Sequence, residues 1–128
     1  MFSIEEMQFS KEHIWLKKIQ SNEYYLGITD FAQDLLGDIV FADIKLNQKT
    51  TSGSALGFIE SVKTSSDIIS PANAEVIEIN PLLSKSIEQI NEKPYETWLC
   101  KITTPDSDVI NLLSHEAVSY THLTLPTN

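Results

Sequence analysis

Short segments rich in strand-forming residues, separated by turn signals at regular intervals, make up most of this sequence. Chains with many short strands of this kind form sandwiches or barrels, because each strand buries one face against a second layer. We therefore predict a mainly β protein, either a β-sandwich or a flattened barrel, with short helices at its ends. The predicted strands are residues 14–19, 24–28, 38–46, 55–62, 67–70, 75–79 and 98–102.

Three short helices are predicted between and after the strands. The first covers residues 30–37, where Asp30 can cap the N-terminus, Gln33 completes a capping box and Gly37 supplies a left-handed stop. A single helical turn is predicted near residues 86–89. A C-terminal helix opens at Pro105, in the first position that proline favours. Its apolar face consists of Val109, Ile110, Leu112, Leu113 and Ala117.

The end of the chain differs from the rest. Residues 118–128 have no capping signals and no period beyond an alternation of threonine and leucine. They resemble the translation of a sequencing adapter, so we interpret them as a non-native replacement of the natural end. We expect one domain over residues 1–117 and a poorly packed tail after it.

The composition is that of a globular protein in which acidic residues outnumber basic ones. Eighteen acidic residues stand against nine lysines and no arginine, which gives a net charge of −9. This balance argues against binding nucleic acid or anionic lipid, since both need a basic surface. No apolar run approaches the ~20 residues of a membrane span, and the single cysteine, Cys100, fits a reducing compartment. We therefore expect a cytoplasmic monomer whose partners present basic surfaces.

No group of residues in the sequence resembles a self-contained active site. His13 begins a strand beside Trp15, while His115 ends a helix and His122 lies in the divergent tail. Cys100 stands in a strand without a partner base, which favours a buried, inert thiol. The sequence contains no Gly-x-Ser-x-Gly elbow, no phosphate loop and no His/Asp cluster for a metal. We expect neither catalytic residues nor a metal.

Lys63 differs from the other lysines in its setting. It separates the predicted strands 55–62 and 67–70, and the small polar residues 64–66 after it suit a tight turn. An exposed hairpin tip would make its primary amine accessible to a modifying enzyme and to the active sites of partners. These residues alone do not decide between that role and an ordinary solvated lysine.

Several segments in a fixed order carry a family resemblance. They are residues 27–33, 36–41, 60–63 and 66–68, together with His13, Trp15, Pro71, Glu75, Val76, Asn91, Pro94, Tyr95, Trp98 and Leu99. Together they resemble the H protein of the glycine cleavage system over most of the chain, from about residue 9 to residue 117. The combination of Gly-Ile-Thr-Asp with Glu-Ser-Val-Lys is the most specific part.

The resemblance implies a non-catalytic lipoyl carrier with a barrel-sandwich hybrid fold. In this family the lysine that matches Lys63 carries lipoic acid in amide linkage. The arm would accept an aminomethyl group from the pyridoxal-phosphate glycine decarboxylase (P protein) and present it to the tetrahydrofolate-dependent aminomethyltransferase (T protein). The flavin dihydrolipoamide dehydrogenase (L protein) would reoxidise the arm, and lipoylating enzymes would attach it.

Two acidic residues near the lysine are further candidates for the functional site. Glu60 matches the family's acidic position three residues before the lysine, and we expect it to help a lipoylating enzyme recognise the hairpin. Asp67 is expected either to share that recognition role or to cap the turn.

Three departures from the family pattern leave the lysine hairpin itself unchanged. Ile14 replaces an acidic residue associated with the cleft that shelters the loaded arm, which puts that shelter in question. Asn73 and Ala74 stand where a glycine turn is common, and a positive φ at Ala74 would cost about 1 kcal/mol unless Asn73 adopted it instead. Thr97 replaces a usual glycine before Trp98.

Three other functions stay open at this point. The first is a carrier that stores lipoate or passes it to other complexes, for which Ile14 leaves room. The second is an interaction module that kept the fold and lost the arm, against which Lys63 and its flanking residues argue. The third is a biotin carrier, but that class prefers methionines where this chain has Val62 and Thr64.

Overall fold

The computed structural model describes residues 6–109 and Leu112, which contain nine strands and four short helices. The strands are β1 (Gln8–Phe9), β2 (Ile14–Gln20), β3 (Glu23–Ile28), β4 (Ile39–Ile44), β5 (Lys49–Thr50), β6 (Ala55–Ser61), β7 (Ser65–Ile69), β8 (Ala74–Ile79) and β9 (Cys100–Thr103). The helices are α1 (Asp30–Leu36), α2 (Leu82–Lys85), α3 (Gln89–Glu92) and α4 (Asp106–Val109).

The strands form two antiparallel sheets. The larger has six strands in the order β1-β2-β3-β9-β8-β5, and the smaller has three in the order β4-β6-β7. One apolar core joins them, because Leu26 and Ile102 of the larger sheet belong to the same buried cluster as Ile59 and Ile68 of the smaller. The predicted mainly β, sandwich-like fold with short helices is therefore confirmed.

Alternation of side chains explains which face of β9 is buried. In β9, Cys100 and Ile102 are fully buried while Lys101 lies at the surface and forms an ion pair with Glu78 at 3.0 Å. Successive side chains of a strand point to opposite faces, so one apolar residue in two enters the core. Each fully buried side chain of this size contributes about 1.5–3 kcal/mol of transfer free energy.

A second, smaller cluster packs on the other side of the larger sheet, and Trp15 lies at its centre. Met7, Phe9 and Trp15 are buried there, with Tyr95 packed against them. The indole Nε1 of Trp15 donates to the carbonyl of Pro94 at 2.9 Å, which satisfies its one polar group. This contact fixes the loop before β9 to the start of β2.

The N-terminal cap of α1 differs from the prediction. Thr29, not Asp30, has the extended backbone of a cap residue, and its hydroxyl accepts the N–H of Ala32 at 3.1 Å. The capping box that depended on Asp30 is therefore wrong, and Asp30 instead accepts the hydroxyl of Tyr95 at 2.8 Å. The predicted stop at Gly37 is confirmed by its φ of 84°.

Some strand and helix boundaries also differ. β7 begins at Ser65, two residues before the predicted start, because Ser65 and Ser66 pair with Glu60 and Ile59 of β6. The ladder holds these small polar residues in a strand, although their composition suggests a turn. The short strands β1 and β5 were not predicted. The single turn predicted near residues 86–89 is replaced by α2 and α3.

The departures at Ala74 and Thr97 are accommodated without the expected strain. Among the described non-glycine residues, a positive φ occurs only at His13, Asn22 and Asn47. The turn therefore needs a positive φ neither at Ala74 nor at Asn73, and the cost that such a φ would bring does not arise. Thr97 is buried, and its hydroxyl donates to the carbonyl of Gln89 at 3.1 Å.

The predicted C-terminal helix begins one residue after Pro105. α4 covers Asp106–Val109, and Val109 is buried in the main core. Ile110, Leu113, Ala117 and residues 118–128 lie outside the described part of the chain. Over residues 6–109 and Leu112, no helix is long and apolar enough to cross a membrane.

Candidate functional site

Lys63 lies at the tip of the hairpin formed by β6 and β7. Glu60 and Ser65 are the last paired residues of this hairpin, so residues 61–64 form its tip. The side chains of Lys63 and its neighbour Val62 are exposed, and Val62 is 68% accessible. The amine therefore lies where the sequence predicted it, on a short turn held by two strands.

Ser61 organises the backbone of the tip. Its Oγ accepts the N–H of Lys63 at 3.1 Å and the N–H of Thr64 at 3.1 Å, and it lies 3.1 Å from the Thr64 carbonyl to which it donates. The N–H of Ser61 also donates to that carbonyl at 2.7 Å. A hydroxyl that accepts from the amides two and three residues later is a recognised turn motif. Ser61 was missed as a site residue, although its spacing from Lys63 was readable in the sequence.

The connection between α1 and β4 supports the tip from one side. The N–H of Val62 donates to the carbonyl of Asp38 at 3.0 Å. Beside it, the stem of Lys63 passes over Gly37, where a methyl group would lie 3.4 Å from both Cδ and Cε of the lysine. The far part of the lysine stem thus lies close to a second segment of the chain.

Asn91 of α3 fixes the start of β4, next to this connection. Its Oδ1 accepts the N–H of Ile39 at 2.7 Å, and its Nδ2 donates to the Ile39 carbonyl at 3.2 Å. Ile39 is buried and pairs with Ser61 across the sheet. Asn91 therefore links the helix layer to the base of the lysine hairpin.

Glu60 and Asp67 are both exposed on the hairpin. Glu60 lies opposite Phe41 on one side and Ser65 on the other. Asp67 lies opposite Phe58, further from the tip. The amides of Lys63 and Thr64 donate to Ser61 and that of Val62 donates to Asp38, so these contacts give no support to turn capping by Asp67. A recognition role for either carboxylate stays a prediction.

Exposed apolar side chains occur in the segments that adjoin the lysine hairpin. Leu35 at the end of α1 is 63% accessible, and Val40 and Phe41 in β4 are 53% and 47% accessible. Val62 is close to Gly37, since a methyl group there would lie 3.5 Å from Val62 Cγ2. We call Leu35, Val40 and Val62 the apolar collar of Lys63. A surface of this kind is suited to contact with another protein.

The other candidate groups are not gathered into a site. The ring of His13 lies 4.7 Å from that of Phe31, measured between centroids. Cys100 is buried in β9, and burial raises the pKa of its thiol to about 12. Ile14 is buried in the main core, so its side chain does not line an acidic cleft. His115 and His122 lie outside the described residues.

Comparisons with known proteins agree with this geometry. The sequence profile described as "Glycine cleavage H-protein" matches residues 7–124. The glycine cleavage system H protein of Clostridioides difficile (strain 630) is 44% identical over 111 residues, covering 85% of this chain and 89% of the relative. That of Escherichia coli O7:K1 is 41% identical over 110 residues, covering 84% and 85%.

A solved structure is similar over nearly the whole fold. It is the crystal structure of a glycine cleavage system H protein from Mycobacterium marinum, with a TM-score of 0.78 and 26% sequence identity. The alignment covers 92% of this chain and 97% of that one. Family profile, relatives and fold agree, and the chain therefore belongs to the glycine cleavage H-protein family.

Proposed function

We propose that this protein is the lipoyl carrier of a glycine cleavage system, with lipoic acid attached through an amide bond to Lys63. The observation that carries the proposal is the position of this lysine, exposed at a hairpin tip whose backbone is held by Ser61 and Asp38. Its surroundings fit a covalently attached acyl arm, because Lys63 is exposed in the described part of the chain and exposed apolar side chains occur in the adjoining segments.

Attachment changes the charge and the length of this side chain. The lysine ammonium first loses a proton, and the neutral Nζ then attacks the carbonyl carbon of an activated lipoyl group. The leaving group departs with its bonding electron pair, and Nζ releases its second proton. The product is a neutral amide, so one positive charge is lost from the hairpin. A tethered group is held at a high local concentration for its partners, which replaces free encounters in solution.

The protein carries a group and catalyses no step itself. The chemistry supplied by bound lipoic acid is that of a reversible disulfide, which takes up an aminomethyl group at the glycine decarboxylase and yields it at the aminomethyltransferase. Dihydrolipoamide dehydrogenase and the lipoylating enzymes are the remaining proposed partners. The residues of this chain hold the arm's root on a rigid hairpin, which keeps its orientation constant from one partner to the next.

The charge of the protein suits partners with basic contact surfaces. The net charge is −9, and Glu60 and Asp67 are exposed on the same hairpin as the lysine. Opposite charges on a partner would speed association and select its orientation. We propose that Glu60 and Asp67 contribute to recognition by the lipoylating enzyme, and that the protein works as a cytoplasmic monomer.

A lipoate-relay carrier is the second candidate, and Ile14 is the residue that favours it. An acidic residue associated with the arm's shelter is replaced by a side chain buried in the core. The two candidates differ in the next reaction of the loaded arm. A glycine carrier supports glycine decarboxylation with its P protein, whereas a relay carrier donates lipoate to another protein and does not support glycine decarboxylation.

The first experiment measures the intact mass after incubation with a lipoate ligase, ATP and free lipoate. We expect wild type and the exposed-lysine control Lys45→Arg to gain one lipoyl group, and Lys63→Arg to gain none. A folded wild type that gains no lipoyl group would contradict the carrier function. An unmodified interaction module would then become the better proposal.

A further inference from the structure

The hydroxyl of Ser61 binds the backbone of the lysine itself. Its Oγ accepts the N–H of Lys63 and the N–H of Thr64, each at 3.1 Å, and it donates to the Thr64 carbonyl at 3.1 Å. All three contacts lie within the four residues of the tip. The backbone of Lys63 is therefore fixed by a side chain two positions before it.

A second contact, from outside the hairpin, fixes the remaining amide between Ser61 and Lys63. The N–H of Val62 donates to the carbonyl of Asp38, so the amides of three consecutive residues, 62–64, all have partners within the protein. The side chains of these three residues are exposed, and water could have satisfied their amides. The contacts thus order a turn that solvent alone would leave free to change conformation.

We propose that Ser61 is a positioning residue for the acylation of Lys63, an inference that rests on the proposed function. Its hydroxyl fixes the lysine backbone and with it the direction of the Cα–Cβ bond, from which the amine is presented. A lipoylating enzyme then binds a turn that is already ordered and loses less conformational entropy on binding. Ser61 acts through the backbone and does not touch Nζ.

The role depends on a hydroxyl at this distance from the chain. Threonine carries its Oγ1 at the same position and suits a strand end, whereas alanine offers no acceptor to the two amides. Ser61→Thr is therefore the conservative variant and Ser61→Ala the disruptive one. Two hydroxyls nearby provide matched controls, because in the described part of the chain the hydroxyls of Thr64 and Ser66 donate to the carbonyls of Ser65 and Asp67 and do not accept the tip amides.

The test is the rate of lipoylation by a lipoate ligase with ATP and lipoate, followed by intact mass. We expect Ser61→Ala to raise the KM for the carrier about tenfold with little change in kcat, since the enzyme must order the tip itself. Ser61→Thr, Thr64→Ala and Ser66→Ala should match wild type. Circular dichroism and thermal unfolding would confirm that every variant is folded at the assay temperature.

Two further readouts separate positioning from a general loss of structure. Amide hydrogen exchange should accelerate in Ser61→Ala at residues 63 and 64 and not in the core strands. Acylation of Lys63 by a small N-hydroxysuccinimide ester should proceed at the wild-type rate, because the amine itself is unaltered. If Ser61→Ala also slowed the acylation of Lys63 by the small ester to the same extent, the proposal would be overturned.

The outcomes also separate this inference from the proposed function. A wild-type protein that is never lipoylated contradicts the carrier function. If wild type is lipoylated and Ser61→Ala has the same KM, the positioning role is wrong and the carrier function stands. An equal loss in Ser61→Thr, or in Ser66→Ala, would likewise overturn the role of the Ser61 hydroxyl.

Discussion

The stem of Lys63 crosses the surface of Gly37, so that a methyl group on the glycine would lie 3.4 Å from two carbons of the lysine. Gly37 ends α1 with φ of 84° and ψ of −171°, a conformation that is essentially restricted to glycine. The same residue therefore ends the helix and lies beneath the stem of the lysine side chain. Any side chain at this position would strain the backbone and would also contact the lysine stem.

We expect Gly37→Ala to destabilise the protein by about 1–3 kcal/mol through backbone strain and also to slow lipoylation of Lys63. Gly53 provides a matched control, because it has φ of 89° and no atom of the described residues would lie within 4 Å of an added methyl group. Gly53→Ala should be strained without slowing lipoylation. Urea unfolding and intact mass measure the two effects, and an equal loss of lipoylation rate in both variants would contradict the contact.

Glu60→Gln tests the recognition role of the acidic residue on the hairpin. The side chain is exposed and opposite Phe41 and Ser65, so its charge should change the free energy of unfolding by less than about 0.5 kcal/mol. We expect lipoylation to slow several-fold at low salt and to differ less from wild type at high salt. Asp67→Asn is the comparison on the neighbouring strand, and unchanged kinetics in Glu60→Gln would leave that residue without the proposed role.

Sequence patterns located the lysine hairpin because its determinants are local. The two strand-like segments, with small polar residues between them, sufficed to predict an exposed amine at a turn. The error at Asp30 has a local cause too, since Thr29 and Asp30 are both good cap residues and adjacent. Only the extended backbone of Thr29 in the fold decides between them.

Contacts between distant segments could not be predicted in this way. Asn91 binds Ile39 across 52 residues of sequence, and no pattern in either segment predicts that the two are in contact. The strand start at Ser65 has the same origin, because pairing with Glu60 overrides a composition that suggests a turn. The register of the sheets and the support of the hairpin therefore became evident only in the structure.

Asn91→Ala should destabilise the protein by about 1–3 kcal/mol, because it leaves two backbone groups of the buried Ile39 without their partner. Asn91→Asp keeps the acceptor and loses the donor, so it should destabilise the protein less than Asn91→Ala does. Asn73→Ala removes a contact to an exposed amide and is the matched control. Urea midpoints measure the series, and a loss in Asn91→Ala as small as in Asn73→Ala would rule out this anchor.

Asp106 should make stability depend on pH in the acid range. The hydroxyl of Tyr24, then the backbone N–H of Asn22 and the amine of Lys18, lower the pKa of Asp106 below its usual value. The folded protein therefore binds this proton less readily than the unfolded chain, whose aspartates have a pKa of about 3.9. The stabilisation is complete above that value and is lost as the pH falls through the lower folded pKa.

The corresponding measurement is the free energy of unfolding of wild type and Asp106→Asn between about pH 6 and pH 2. Wild type should lose more stability than Asp106→Asn as the pH falls below about 4. Asp108→Asn, on the same helix, is the comparison variant. If the wild-type and Asp106→Asn curves are parallel throughout, the contacts of Asp106 do not contribute the predicted pH dependence.

Cys100 should be inert in the folded protein, which makes thiol labelling specific for an attached arm. Burial raises its thiol pKa to about 12, so the thiol is almost entirely protonated near neutral pH, and the thiolate is the reactive form. We expect iodoacetamide to label unmodified protein only after unfolding. The lipoylated and reduced protein should gain two labels while folded, and Lys63→Arg none. Labelling of the folded, unmodified protein at the rate of the unfolded chain would show that Cys100 is accessible.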